Sequence, residues 1–332
     1  MSLACGSPHR NKFKPALALV GFVTSHRRSP LLTMAVTIFG SFAVKTAIYA
    51  AAALFALATS AAAQNDFSGV EIKTTTIADG VYMLEGAGGN IGLSVGEDGA
   101  FLIDDQFAPL NEKILAAIAA VTDKPVQFVL NTHYHRDHTG GNEPFGKTGA
   151  HIIAHDNVRK RLAQAANGTP AAALPVITFS DATTFHWNGQ EIYIFHPENA
   201  HTDGDAIVHF RNLAVIHMGD ALFSGRYPYV DVDGGGSLNG YIASLESVAA
   251  MIDDKVKLIP GHGPVSSKSD IEESIAMLKD VRTRIQALID QGLDEDAAVA
   301  TDPLAGLNEK WAWQFITAER MVRSAYKSLT AE

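Results

Sequence analysis

"NTHYHRDHTGG", Asn131–Gly141, crowds three histidines and an aspartate into the six positions from His133 to His138. It ends the run "VQFVLN" (126–131), whose apolar character reads as a buried strand. His133 and His135 alternate by two, so in an extended segment both imidazoles face the same way. Asp137 and His138 follow where the chain turns, and they can aim a second pair at a neighbouring point. Neutral imidazole nitrogen and carboxylate oxygen are favoured ligands of zinc. One short loop can therefore offer two ligands to each of two adjacent cations. Gly140 and Gly141 let the backbone turn tightly before the next helix.

Further ligand candidates stand later in the chain: His201 in "NAHTDGD", Asp220 in "HMGDALF" and His262 in "PGHGP". Each is expected in a glycine-bearing loop after a strand-like run. "THYHRDHTGG" resembles the H-x-H-x-D-H signature of the metallo-β-lactamase superfamily, and "NIGLSVGEDGAFLID" is similar to that superfamily's N-terminal hairpin. The resemblance covers roughly residues 70–265. It implies an α+β fold, a four-layer αββα sandwich in a single domain, with metals at one edge between the sheets. Carried onto this chain, it implies one zinc held by His133, His135 and His201 and a second held by Asp137, His138 and His262. Asp220 would bridge the two Zn²⁺ ions, as in glyoxalase II. The best-known lactamase subclass has a cysteine at the position of Asp220 and no ligand at that of His138. Another subclass keeps the aspartate-histidine pair but lacks the bridge. The ligand set thus implies a dinuclear zinc hydrolase using a metal-bridging hydroxide. Asp137 is the expected catalytic residue, orienting the nucleophile and passing its proton to the leaving atom.

Elsewhere the chain alternates short strands and helices. Strands are expected at 70–77, 81–85, 126–131, 149–153, 182–187, 190–195, 205–210 and 213–217, with a hairpin turn at "EDG", Glu97–Gly99. Helices are expected at 110–121, 156–166 and 239–252, from Ser269 to about Asp290, and over 309–328. Ser269 and Glu272 would form a capping box for the fourth of these. Asp104, at the end of "FLID", is expected to anchor a loop by hydrogen bonds. His151, His155, His186, His196, His209 and His217 read as structural or surface residues.

For substrate contact the sequence offers "SGRYPYVDVDGGGSLNGY" (224–241), whose glycines and tyrosines suit a loop over a pocket. Arg226, Tyr229 and Asn239 are its candidates for holding a carboxylate or carbonyl. "EGAGGN" (85–90) is a candidate flap.

Residues 1–63 hold six basic residues and no acidic one, leaving 20 basic against 36 acidic residues beyond them, a formal charge of −16. So acidic a body excludes phosphate-tracking nucleic-acid binding, and a small-molecule substrate is expected instead. Residues 47–58, "AIYAAAALFALA", follow Lys45 and precede small residues at Ala61 and Ala63. That is the layout of a signal peptide over 34–63, cleaved after Ala63, with 1–33 an extension or mis-assigned start. The expected mature protein, 64–332, is periplasmic or secreted, without stable membrane insertion. It has no cysteine, since Cys5 is the only one in the chain. Its oligomeric state is left open.

Three functions fit. Export favours hydrolysis of a cyclic amide such as a β-lactam or of a related carbonyl. Asp220 favours a thioester, lactone or phosphodiester. The third is an iron-dependent oxidoreductase or a non-catalytic metal-binding module on the same fold.

Overall fold

The computed structural model describes residues 66–197 and 199–331. The expected signal peptide, its cleavage point after Ala63 and the extension before it lie outside the described residues. Seven strands form the first sheet in sequential order: β1 (Lys73–Ala78), β2 (Val81–Glu85), β3 (Ile91–Gly96), β4 (Gly99–Ile103), β5 (Val126–Leu130), β6 (His151–His155) and β7 (Ile177–Phe179). Pairing is antiparallel from β1 to β4 and parallel from β4 to β7. The second sheet holds β8 (Ala182–Trp187), β9 (Gln190–Phe195), β10 (Ile207–Phe210), β11 (Val215–Phe223) and β12 (Lys257–His262). There only β11 and β12 run parallel.

Side-chain alternation explains why the sheets stack and why each needs a helical cover. On β4, Phe101 and Ile103 point between the sheets, where they join Leu130, Ile153, Ile194, Val208 and Ile259. Their neighbours Ala100 and Leu102 point outward, against Ile114 and Ile118 of helix α1 (Asn111–Ala119). The second sheet repeats this: Val215 and Ile259 face in, while Ile216 and Leu258 face out. Two sheets each apolar on both faces give four layers, αββα.

On the loops around the first sheet lie α2 (Arg136–Thr139), α3 (Asn142–Lys147) and α4 (Asp156–Ala163). Against the second sheet pack α5 (Leu238–Met251), α6 (Lys268–Asp290), α7 (Glu295–Ala300), α8 (Ala305–Trp311) and α9 (Ala318–Ala331). No helix among the described residues is long and apolar enough to cross a membrane.

Three differences from the sequence reading matter. The capping box of α6 uses Ser267 and Asp270, not Ser269 and Glu272. Both pairs have the required spacing, and the earlier start sets Ile271, Leu278, Val281 and Ile285 into the core. The expected helix over 309–328 is broken. Trp311 and Ile316 are both buried, and the Trp313 amide donates to Ile316 O (3.1 Å), folding residues 312–317 into a strap between α8 and α9. Asp220 lies inside β11 rather than in a loop. The register with β12 shifts on either side of Gly219, whose φ is +52°. That bulge aims the Asp220 carboxylate at the sheet edge.

Candidate metal centre

The chain reverses or kinks at one edge of the sandwich where β5, β11 and β12 end, and seven side chains meet there. His133 and His135 follow β5; Asp137 and His138 lie on α2. His201 lies between β9 and β10, Asp220 on β11 and His262 at the last position of β12. They gather into two groups, each with its ligand atoms within 4.8 Å of one another: His133, His135, His201 and Asp220, and then Asp137, His138 and His262.

In the first group His135 Nδ1 lies 3.0 Å from both His133 Nε2 and His201 Nε2. Asp220 Oδ2 is 3.4 Å from His201 Nε2 and 3.7 Å from His133 Nε2. In the second, His138 Nε2 and His262 Nε2 are 3.4 Å apart, and Asp137 Oδ2 is 3.3 Å from His262 Nε2. Asp220 Oδ1 faces this group, 3.2 Å from His138 Nε2 and 3.5 Å from His262 Nε2. One carboxylate thus presents one oxygen to each group.

The partners behind four of the five rings fix their tautomers. His201 Nδ1 donates to Tyr229 O (2.6 Å), and His135 Nε2 donates to Asp231 Oδ2 (2.9 Å). The Thr132 hydroxyl spends its proton on Asp104 Oδ2 (2.8 Å), so His133 Nδ1, 3.1 Å away, donates to it. His138 Nδ1 donates to Asp104 Oδ2 (2.7 Å). Four lone pairs therefore point inward with no proton between them in the neutral state. Asp220 Oδ1 is buried and has no aligned donor. Such a set of bare nitrogens and oxygens fits a shared cation, and the His and carboxylate donors suit zinc.

Electrostatics divide the groups. Burial, with His138 nearby, holds His133 well below the usual imidazole range, and burial lowers His201 to about 4. Burial also works against a charged His138 or His262. For His138 the carboxylates of Asp220, Asp137 and Asp104 outweigh it and raise the group. For His262, Asp220 and Asp137 do the same and lift it to about 9. Asp137, although burial opposes ionisation, is pulled down to about 2 by His138 and His262. A cation at the second group would displace protons from His138 and His262, whereas His133 and His201 hold none to displace.

Asp104, expected as an anchor, is fully buried at φ +65° and also accepts from the Thr132 amide (2.7 Å). Asp205 holds the His201 amide (2.6 Å). "EGAGGN" packs on the site: Gly89 N donates to Asp137 O (3.2 Å), and a Cβ at Gly89 would overlap the His138 ring. Sequence reasoning missed Asp231, which also accepts from the Tyr134 hydroxyl and from Gly234 N (3.0 Å). His217 is buried on β11, with Nε2 3.2 Å from Asn90 O.

A cavity of about 560 Å³ opens onto both groups. Its apolar walls are Phe223, Tyr229, Trp313 and Phe315. Of the expected substrate contacts, Tyr229 lines it. Arg226 is not in the lining; its guanidinium lies 4.9 Å from the ring centroid of Trp313, which is. Asn239 is not in the lining either. It sits in the first turn of α5, accepts from Arg282 Nη1 (3.0 Å) and borders a separate cavity. Trp313 and Phe315 were missed, although the density of aromatics in "WAWQF" (311–315) was a signal.

The chain is similar to known proteins to different extents. Hydroxyacylglutathione hydrolase of a Polaromonas species is 27% identical over 196 residues, 57% of this chain and 67% of that protein. The 2,4-dinitroanisole O-demethylase subunit alpha of a Nocardioides species is 25% identical over 156 residues, 46% of this chain and 45% of that protein. The chain thus spans two thirds of one relative and under half of the other. Among solved structures, a metallo-beta-lactamase from Pontibacter korlensis superposes with a TM-score of 0.56 at 20% identity, covering 63% of this chain and 100% of that one. The DIM-1 metallo-beta-lactamase gives 0.55 at 16%, covering 63% and 98%. At these identities the structural likeness is one of fold. The profile of the metallo-beta-lactamase superfamily matches residues 84–263, more than half the sequence, and the chain belongs to that superfamily.

Proposed function

We propose that the protein is a dinuclear zinc hydrolase that cleaves the carbonyl–heteroatom bond of a small acyl substrate, a thioester, ester or lactone in the first instance. The observation that carries this reading is the Asp220 carboxylate, which turns one oxygen to each histidine group. His133, His135 and His201 would hold one ion, Asp137, His138 and His262 the other, with Asp220 shared. Hydroxyacylglutathione hydrolase, a relative named for a thioester, supports an acyl bond as the target. β-Lactams are cyclic amides and belong to the same broad class, so they enter the test.

Two bound zinc ions would supply Lewis acidity, polarising the carbonyl and bringing a water's pKa down to about 7. The chain's own residues do the rest. Asp137, held ionised, accepts a proton at Oδ2 and can return it to the leaving heteroatom. Asp104, Asp231 and the Tyr229 carbonyl hold His138, His135 and His201 in the tautomers that turn lone pairs inward. Phe223, Tyr229 and Trp313 keep bulk water from the reacting carbonyl.

The test is metal analysis followed by a panel of thioester, lactone, phosphodiester and chromogenic cephalosporin on the zinc-loaded protein. About two zinc per chain and turnover of an acyl substrate are expected. A single iron per chain, or turnover of the phosphodiester alone, would overturn the reading. We also infer export, with residues 34–63 removed after Ala63, on the strength of Lys45, the apolar run 47–58 and the small residues before Gln64. N-terminal sequencing of the exported protein should read from Gln64; Met1 or Met34 would refute it.

A further inference from the structure

Two histidines that the metal centre does not use lie face to face. The rings of His155 and His196 stack with centroids 4.1 Å apart and planes 22° from parallel. His155 is buried, and Phe179 packs edge-on against it at 5.9 Å. Each imidazole is also tied, by a different route, to the loop that carries His201.

His155 closes the first turn of α4, where its Nδ1 accepts from the Asn157 amide (3.2 Å). From that turn α4 grips the loop at three points. Asn157 Nδ2 donates to Asp203 O (2.8 Å), and Arg161 takes the Asp203 carboxylate with two bonds (2.7 and 2.8 Å). Gly204 lies so close to α4 that a Cβ there would stand 3.0 Å from the Val158 side chain. His196 holds the far side, its Nδ1 donating to Asp205 O (2.7 Å). The Asp205 carboxylate in turn accepts from the His201 and Thr202 amides (2.6 and 2.9 Å). The stacked pair therefore fastens the His201 loop from two sides.

This fastening works only while the rings are neutral. An imidazole that caps a helix needs a bare nitrogen, and a protonated ring has none. A proton on His155 Nδ1 would face the Asn157 N–H donor to donor, and a charge on His196 would then stack on a like charge. Among the described residues, the charged groups of the surrounding elements are Asp156 and Arg161 on α4, Asp203 and Asp205 in the loop, and Asp181 before β8. Arg161 is taken by Asp203. Burial, and then the charge of His196, lower His155 below the ordinary imidazole value, against the pull of the Ser180 backbone, Asp156 and Asp203. The sign follows. The closed clasp prefers the neutral ring, so it is whole above about pH 6.5 and weakens as the pH falls from there towards the lowered value.

We propose that the His155–His196 stack is an acid-sensitive clasp on the loop that supplies His201. Neutral, it binds that loop to α4; protonated, it lets the two part. The device does not depend on which substrate the protein cleaves.

The experiment compares amide hydrogen exchange, read by mass spectrometry and corrected for intrinsic rates, in the zinc-loaded wild type and in His155→Asn. Asparagine is a favoured helix cap and does not titrate. Between about pH 7.5 and about pH 5.5, a histidine that regains its ordinary value on opening favours the open form by up to about tenfold. Wild type should therefore lose about 3- to 10-fold more protection than His155→Asn at residues 157–163 and 199–205. The two proteins should change alike along α6. Burial lifts Asp205 to about 7, but that group is common to both and cancels from the comparison. His196→Gln keeps a donor for Asp205 O and removes the second charge, so it should also lose less than wild type; it serves as the comparison should His155→Asn fold poorly. Equal losses in wild type and His155→Asn would overturn the proposal, as would a difference of the same size along α6. A His196→Gln variant as acid-sensitive as wild type would overturn the paired role of the rings.

Discussion

Asp104→Asn is the substitution that tests how the second metal group is held. Asp104 accepts from the Thr132 amide, the Thr132 hydroxyl and His138 Nδ1, all within 2.8 Å and wholly buried. Asparagine has nearly the same shape and tolerates the left-handed backbone found there, φ +65°. Its amide carries one acceptor oxygen where the carboxylate had two. If that oxygen stays on the Thr132 amide, the NH₂ faces His138 Nδ1. His138 must then move its proton to Nε2, the nitrogen aimed at Asp220 and His262, or leave two donors opposed. A buried donor left unsatisfied costs about 1–3 kcal/mol. Partners behind metal-ligating histidines are worth about 10- to 100-fold in metal affinity. That range is about 1.4–2.7 kcal/mol, so the two estimates agree. Zinc affinity at the Asp137–His138–His262 group should therefore fall about 10- to 100-fold. The first group, touched only through Thr132 and His133, should lose less. Competitive titration against a chromophoric chelator, with zinc counted per chain, resolves the two. Unchanged affinity in both groups, or a loss confined to the first, would refute the reasoning.

Three further outcomes are expected. Zinc binding at pH 7.5 should displace protons from His138, which is raised, and from His262, lifted to about 9, whereas His201, lowered to about 4, has none to lose; calorimetry in buffers of different ionisation enthalpy reads this, and binding without proton release would contradict it. His133→Ala and Asp137→Ala should each abolish turnover with the circular dichroism spectrum unchanged; a fully active variant of either would defeat the ligand assignment. Gly89→Ala should lower stability by about 1–3 kcal/mol, because its Cβ has no room beside the His138 ring, whereas Gly69→Ala, with open space around it, should not; denaturant unfolding of the pair decides.

The candidate metal centre was legible because its chemistry is dense. Four of seven ligand candidates fall within six consecutive positions just past one strand end, and period-two alternation says how the first two point. His201, Asp220 and His262 were legible as types in glycine-rich settings, and the structure gathers all three beside the loop. The setting of Asp220 was not: only the bulge at Gly219 shows how a residue inside a strand reaches the edge. Asp231 was invisible because its partner His135 is 96 positions away, and nothing in "YVDVDGGG" distinguishes it from Asp233. Within one loop the sequence could not separate Tyr229 from Arg226 and Asn239. For Asn239 that choice depends on where α5 begins, and its first turn carries Asn239 away toward Arg282. The strap at 312–317 escaped because helical periodicity does not register a break made by two buried side chains, Trp311 and Ile316.

That strap and the candidate metal cluster are built from separate stretches of the chain. The seven candidate ligands span His133 to His262, whereas two of the four aromatic walls, Trp313 and Phe315, come from the strap well beyond them. A chain cut before residue 312 would keep all seven candidate ligands yet lack two of the four aromatic walls. Substitutions in the strap should therefore alter what the cavity admits while leaving the seven candidate ligands in place.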